Sequence, residues 1–379
     1  MERHTFPPAA FPASAPNSIQ PTPEQFRFDP GKHLQLGPPE YIKMLPTDSG
    51  HEQFVQFPIP PSGSGPRVVR GCSSDAEVPF TGLAYTAPFR VLSDQGVSAL
   101  RQVIDNNEKF TTSVPNLVPK CLRGLGYRSD FIRDLNYSEP LLRHLSQCAG
   151  EALTPHAMSM NLAQINFGEI GGGPVNQWHI DSVPYVMVIL LSDATDMVGG
   201  ELLVARLGDP KEAIRRIRAE EIDPQLIDKV NYPGPGYAIF MQGSQIAHAV
   251  TPVTHAKERR LTCINSYQTL NPFCQDHTVY KTFTTMDGDA PPYEFARHVA
   301  WRVQGQLDYL MNKVVNGSSG HEELEAILDK AASELSRAKL LITGKIEDEQ
   351  PYDINGKAAA EATKAIEAYG TAVTNTSKL

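Results

Sequence analysis

The sequence predicts an α+β chain with a mainly β core, a double-layered jelly roll flanked by helices at both ends. Three observations carry this. Between residues 156 and 270 the chain breaks into many short apolar or alternating runs separated by Gly/Pro turns, the pattern of a closed antiparallel core. Before and after that stretch, apolar residues recur at the 3.6-residue helical period. The chain has 379 residues and 41% hydrophobic content, enough for one large core with a helical annex.

Residues 1–85 form a Pro-, Ser- and Gly-rich arm whose densest patch is Pro58-Ile59-Pro60-Pro61-Ser62-Gly63-Ser64-Gly65-Pro66. Such a stretch lacks the apolar periodicity to fold alone. The expectation is a wrapping arm, partly disordered and loose before Phe26, with short extended pieces further on.

A helical flank follows over 86–155. Val97, Leu100, Val103 and Ile104 share a helix face after a cap at Ser93, and Leu141, Leu142, Leu145 and Cys148 mark a second helix over 139–153. Both are expected to pack outside a sheet. The intervening Leu122-Arg123-Gly124-Leu125-Gly126-Tyr127-Arg128-Ser129-Asp130 reads as a solvated turn, with an anion-reaching loop as the alternative.

The core spans 156–270. Met158, Met160, Leu162, Gln164 and Asn166 alternate with Ser159, Asn161, Ala163, Ile165 and Phe167, and Gly171-Gly172-Gly173-Pro174 ends that run. The strand with Gln177-Trp178-His179-Ile180-Asp181 comes next, then the apolar run Tyr185 to Leu191, then Gly199-Gly200-Glu201-Leu202-Leu203-Val204. The charged insert 209–228 is expected to be helical, outside the core, and a candidate lid. Gly236 to Met241, Gln245 to Val250 and Arg260 to Tyr267 complete the strands. Helix returns in 271–379: Phe295, Val299, Val303, Leu307, Leu310 and Met311 share one face, a second amphipathic stretch covers 322–341, and an alanine-rich helix covers 358–368. That region is expected to be a cap or a homodimer contact.

Composition narrows the partners. The net charge of −9 is spread along the chain with no dense basic cluster, which argues against nucleic acid. No apolar run reaches the roughly 18–20 residues of a membrane span. Five cysteines, Cys72, Cys121, Cys148, Cys263 and Cys274, have no CxxC spacing, so neither a disulfide framework nor a thiolate zinc site is expected. The last three residues, Ser377-Lys378-Leu379, match the address read by the peroxisomal import receptor, which predicts a peroxisomal location.

The chemistry is concentrated in three side chains. In a strand, alternate residues face the same way, so His179 and Asp181 share a face while Ile180 points into packing. His248 follows a second apolar run and supplies a third donor; His255 is its rival. Two imidazoles and one carboxylate on one face of a metal, with the other positions open, form the facial triad of non-haem iron oxygenases. Gln164, Asn166, Tyr185 and Ser266 are candidates for the inner face, and Trp178 for the core. A zinc hydrolase on the same ligands finds no Glu or His at a general-base spacing.

The ordered set His179-x-Asp181, Gly-Gly-Glu-Leu, His248 and a strand opened by Arg260 resembles the Fe(II)/2-oxoglutarate-dependent oxygenase superfamily over residues 160–270. The resemblance implies a double-stranded β-helix, with Fe(II) on His179, Asp181 and His248 and with 2-oxoglutarate and O2 as cosubstrates, giving succinate and CO2. It also implies that Arg260 or Arg259 pairs with the distal carboxylate of 2-oxoglutarate, Arg260-Leu261-Thr262 matching the family's Arg-x-Ser/Thr spacing. Related halogenases lack the carboxylate that Asp181 provides, so hydroxylation, desaturation or oxidative cyclisation is expected. The run Gln177 to Val186 is similar to members acting on free amino acids, including fungal enzymes of specialised metabolism. The alternatives are an acyl-CoA hydroxylase of the phytanoyl-CoA type and a non-catalytic metal-binding jelly roll.

Overall fold

Two antiparallel sheets face each other, and both line a cavity between them. The computed structural model describes residues 27–38, 40–46, 52–58, 83–114, 118–173, 175–315 and 321–348. The expected helix over 358–368 and the tripeptide Ser377-Lys378-Leu379 lie outside the described residues. The larger sheet runs, in spatial order, Glu52–Pro58, Glu40–Pro46, Leu83–Thr86, Tyr237–Met241, Tyr185–Leu190, Arg260–Thr269, Gln164–Gly168, Val118–Leu122 and Thr112–Val114. The smaller runs Ile227–Val230, Leu202–Ala205, His248–Val250 and Asn176–His179.

Strand alternation divides the large sheet into two faces. Tyr185, Met187 and Ile189, with Ala238, Phe240, Leu261, Cys263 and Tyr267, face outward into a core closed by the N-terminal helices Asp94–Asn107, Asp130–Asn136 and Glu139–Ala149. Val186, Val188, Met241, Arg260, Thr262 and Ile264 face inward and line the cavity. Tyr185, a candidate for the inner face, therefore belongs to the outer core, where its ring stacks on Phe240 with centroids 5.7 Å apart.

The helices end where local chemistry ends them. Ser93 caps the first long helix through a bond from Gly96 N to its Oγ at 3.0 Å. Gly150 stops Glu139–Ala149 in the left-handed region at φ 73°, short of the expected 153, and Leu153–Pro155 joins the sheet as a strand. The expected strand through 158–163 is instead a 3-10 turn, Ser159–Asn161, followed by Ala163 at φ 56°. The loop 122–129, read as solvated, is buried throughout: Leu125–Arg128 forms a helical turn, and Arg123 ion-pairs with Asp287. A helix at Tyr280–Met286, absent from the sequence reading, precedes the long helices Pro291–Val315 and His321–Ile342. Phe295, Val299 and Val303 of the first long helix pack with Met158, Val183 and Ile246, whereas Leu307 and Met311 are exposed.

The charged insert corrects the lid expectation. Only Pro210–Arg218 is α-helical; the chain then turns at Pro224–Leu226 and returns as the strand Ile227–Val230, paired with Leu202–Ala205. Ala213, Ile214 and Ile217 pack with Trp178, Ile180, Leu203, Ala247 and Ala249, the outward-facing residues of the small sheet. Salt bridges from Arg215 and Arg216 to Glu212 keep the opposite face in water. The insert is thus a buttress behind the small sheet. Truncating Ile217, fully buried in this layer, to Ala is expected to destabilise the fold by about 2–5 kcal/mol. Chemical denaturation checks this, since truncation in a lid resting on solvent would change the midpoint little.

Candidate metal centre

His179 and His248 stand 69 positions apart in the chain yet are direct cross-strand partners, because Asn176–His179 and His248–Val250 are neighbouring antiparallel strands. Their rings lie 4.2 Å apart between centroids. Asp181 follows just beyond the end of its strand and is held by a bond from its N to Gly243 O at 2.8 Å. Its Oδ1 lies 3.3 Å from His179 Nε2 and 3.6 Å from His248 Nε2. One ligand atom from each of the three residues falls within 4.8 Å of the others. Among the described residues these three side chains are placed as a facial triad would be.

Both imidazoles are oriented by the same local device. The carbonyl two residues upstream accepts from Nδ1: Gln177 O at 2.6 Å from His179 and Ile246 O at 3.1 Å from His248. With the proton on Nδ1, each Nε2 turns a lone pair toward Asp181, the arrangement a metal requires. Asn176 Nδ2 reaches His179 Nε2 at 3.2 Å, consistent with that lone pair. Burial, reinforced by His179, pulls the pKa of His248 down to about 4 against the opposing influence of Asp181, so its imidazole is neutral at pH 7. Burial works against ionisation of Asp181, but His248 and His179 outweigh it and hold its pKa below the ordinary aspartate value.

The donors fit a divalent cation. Asp181 Oδ2 is buried and has no protein partner, a costly state for a carboxylate oxygen unless a ligand satisfies it. Gly243 makes room for it: a Cβ there would stand 1.8 Å from Asp181 Oδ2. Nothing in the sequence singled out Gly243, since its role is contact with a residue 62 positions earlier. Tyr232, which also lines the cavity, carried no signal because it sits at the end of the charged insert.

Arg260 enters the same cavity from the opposite sheet. It is 2% exposed, its Nη1 lies 3.4 Å from Thr262 Oγ1, and its Nε is buried without a partner. No carboxylate of a described residue pairs with it within 4.0 Å. Gly200, at φ 74°, permits the approach, because a Cβ there would meet Arg260 Cδ at 2.7 Å. Arg259 points the other way. Its guanidinium grips Glu108 with both arms, at 2.6 and 2.7 Å, and lies over the Phe167 ring. Arg259, with Lys120, depresses the Glu108 pKa to about 2. Of the two arginines, Arg260 faces the cavity and Arg259 does not. His255 is exposed on a short strand paired with Val198 and stands outside the triad. Asn166 lines the cavity; Gln164 bonds to it, and Ser266 lies opposite the cavity residue Val186.

No family model matches the chain, and no curated protein matches it. Solved structures do. A 2OG-Fe(II) oxygenase family oxidoreductase from Burkholderia pseudomallei is 15% identical, with 46% of this chain and 79% of that one covered at a TM-score of 0.34. The carbocyclase SnoK from nogalamycin biosynthesis, described as non-haem and alpha-ketoglutarate dependent, is 16% identical over 50% and 80% at 0.38. EctD from S. alaskensis, with 2-oxoglutarate and 5-hydroxyectoine, is 13% identical over 50% and 73% at 0.36. Likenesses this weak carry no weight for the chemistry, which rests on the donors themselves.

Replacing His179, Asp181 or His248 with Ala is expected to lower Fe(II) affinity by more than the roughly 10–100-fold typical of losing a residue that only hydrogen-bonds to a ligand. Gly243→Ala is expected to do the same by displacing the Asp181 carboxylate. Anaerobic titration calorimetry, with near-UV circular dichroism to confirm an intact core, checks both.

Proposed function

We propose that this protein is an Fe(II)- and 2-oxoglutarate-dependent oxygenase acting on a small molecule. The observation that carries the reading is the pairing, within one cavity, of a triad that would leave half a metal's coordination sphere open with a buried guanidinium that no carboxylate of a described residue contacts. When bound, iron and 2-oxoglutarate supply O2-dependent oxidation of a substrate C–H bond, with release of succinate and CO2.

The chain's own residues position and shield. Arg260 offers a planar fork that matches a carboxylate with two parallel bonds, which a point-charge lysine does not. Thr262 Oγ1 stands beside it as a further polar contact. Val186, Val188, Leu202, Met241 and Ile264 make the remaining wall apolar, keeping bulk water away from the metal face. Asp181 completes the triad as an oxygen donor, so the reading favours hydroxylation, desaturation or cyclisation over halogenation. For the substrate we favour a free amino acid, on the resemblance of the run Gln177 to Val186.

Protein reconstituted with Fe(II) under argon and then given 2-oxoglutarate and O2 is expected to release succinate, and more of it with the right member of a panel of amino acids and acyl-CoAs. Arg260→Lys is expected to raise the KM for 2-oxoglutarate about tenfold or more while leaving Fe(II) affinity in place. If iron binds and no member of the panel yields succinate, the protein is a metal-binding jelly roll without this activity.

A further inference from the structure

The large sheet carries a one-way chain of hydrogen bonds that ends in the cavity. Arg123 is buried and clamped to Asp287 by Nε to Oδ1 at 2.5 Å and Nη2 to Oδ2 at 2.8 Å, with Asn161 Oδ1 3.0 Å from Nη2. Its remaining arm, Nη1, donates to Gln164 Oε1. Gln164 Nε2 in turn donates to Asn166 Oδ1 at 2.9 Å. Gln164 and Asn166 are two residues apart on one strand and so share a face; Asn166 is the cross-strand partner of Thr262 and lines the cavity.

The direction of this chain is fixed by chemistry. A guanidinium can only donate, so the atom of Gln164 that meets Arg123 must be its carbonyl oxygen. The amide nitrogen is then left for Asn166, whose own oxygen must turn toward it. That leaves Asn166 Nδ2, with two protons and no acceptor among the described residues, on the cavity side. We propose that Gln164 is a positioning residue: with Arg123 behind it, it fixes the Asn166 amide so that the cavity presents a hydrogen-bond donor beside Thr262 and selects a ligand oxygen there. The inference rests on the reading of the cavity as a site for an oxo acid, and it adds that acceptor selection is set from outside the cavity. Asp287 caps the helix Tyr280–Met286, so the C-terminal helical region holds the first link.

Gln164→Glu and Gln164→Met separate positioning from support. Glutamate keeps an acceptor for Arg123 but can only accept from Asn166, so the Asn166 amide must flip and turn its oxygen into the cavity. Methionine leaves Arg123 short of an acceptor and the Asn166 amide free to rotate. Positioning predicts that Gln164→Glu weakens 2-oxoglutarate binding to the Fe(II)-loaded, anaerobic full chain about tenfold or more, and more than Gln164→Met does. A purely structural role predicts the reverse order. Selective 15N-asparagine labelling provides a readout without cosubstrate: the Asn166 side-chain NH2 resonances are expected to move downfield in Gln164→Glu as they bond to the new carboxylate. Charge repulsion alone would weaken 2-oxoglutarate binding without moving those resonances. Unmoved resonances, or weaker binding in Gln164→Met than in Gln164→Glu, overturn the proposal. If the wild-type protein binds Fe(II) but not 2-oxoglutarate, the oxygenase reading falls, and the Asn166 resonances still decide the amide's direction.

Discussion

The cross-strand pairing of His179 with His248 is the constraint on which the site depends. A two-strand register brings together residues that no local sequence could, and a slip of one position would turn His248 to the opposite face of the sheet. The register is therefore fixed by more than its own hydrogen bonds. Trp178 and Ile180 flank His179, Ala247 and Ala249 flank His248, and all four lie on the outward face, packed against Ala213, Ile214 and Ile217 of the insert. Moving the histidines would expose that layer, so the hydrophobic burial behind the sheet keeps the donors in front of it in place.

The glycines at the site serve geometry of another kind. Asp181 leaves the strand just where the chain must approach the Gln242-Gly243-Ser244 loop, and the Gly243 carbonyl that takes the Asp181 N–H belongs to the residue whose missing Cβ admits the carboxylate. On the other side, Gly200 lets the small sheet's entry loop close over the stem of Arg260. In both places a backbone approaches a charged side chain closely, so the cavity is narrow around its charges.

How much of this was legible in sequence follows from the range of each interaction. Val97, Leu100, Val103 and Ile104 announce their helix because periodicity is local, and Ser93 announces its cap for the same reason. The convergence of the three donors was legible because alternation puts His179 and Asp181 on one side, even though the strand ends at His179, and because the later histidine and arginine follow in the order the resemblance implies. The insert 209–228 was misread because a run of charges looks solvated whichever wall its few apolar residues cover: Ala213, Ile214 and Ile217 were too few to show that they complete a layer. Loop 122–129 was misread for a related reason, since the buried Arg123 is satisfied by distant partners, Asn161, Gln164 and, 164 residues on, Asp287. The choice between Arg259 and Arg260 turned on strand alternation, and Glu108 makes the distinction visible.

Charge balance supports the proposed selectivity of the cavity without reference to any relative. Bound to a metal through Nε2, with the proton on Nδ1, the two imidazoles would contribute no charge, and Asp181, its pKa held below the ordinary value, contributes one negative charge. A divalent cation on the triad leaves that end with one net positive charge, and Arg260 adds a second at the other wall. Glu201 acts on Arg260 only from beyond contact distance, because its oxygens are engaged by Lys229 at 2.9 Å and by the Thr251 hydroxyl. Two net positive charges that no further carboxylate of a described residue contacts, in a narrow, largely apolar space, are expensive unless a ligand brings two negative ones, one at each end. A monoanion would leave one end unpaired, whereas a dicarboxylate long enough to reach from the metal to the guanidinium satisfies both. The same requirement makes the order of filling meaningful: the metal raises the cavity's affinity for the dianion, and by reciprocity the dianion holds the metal.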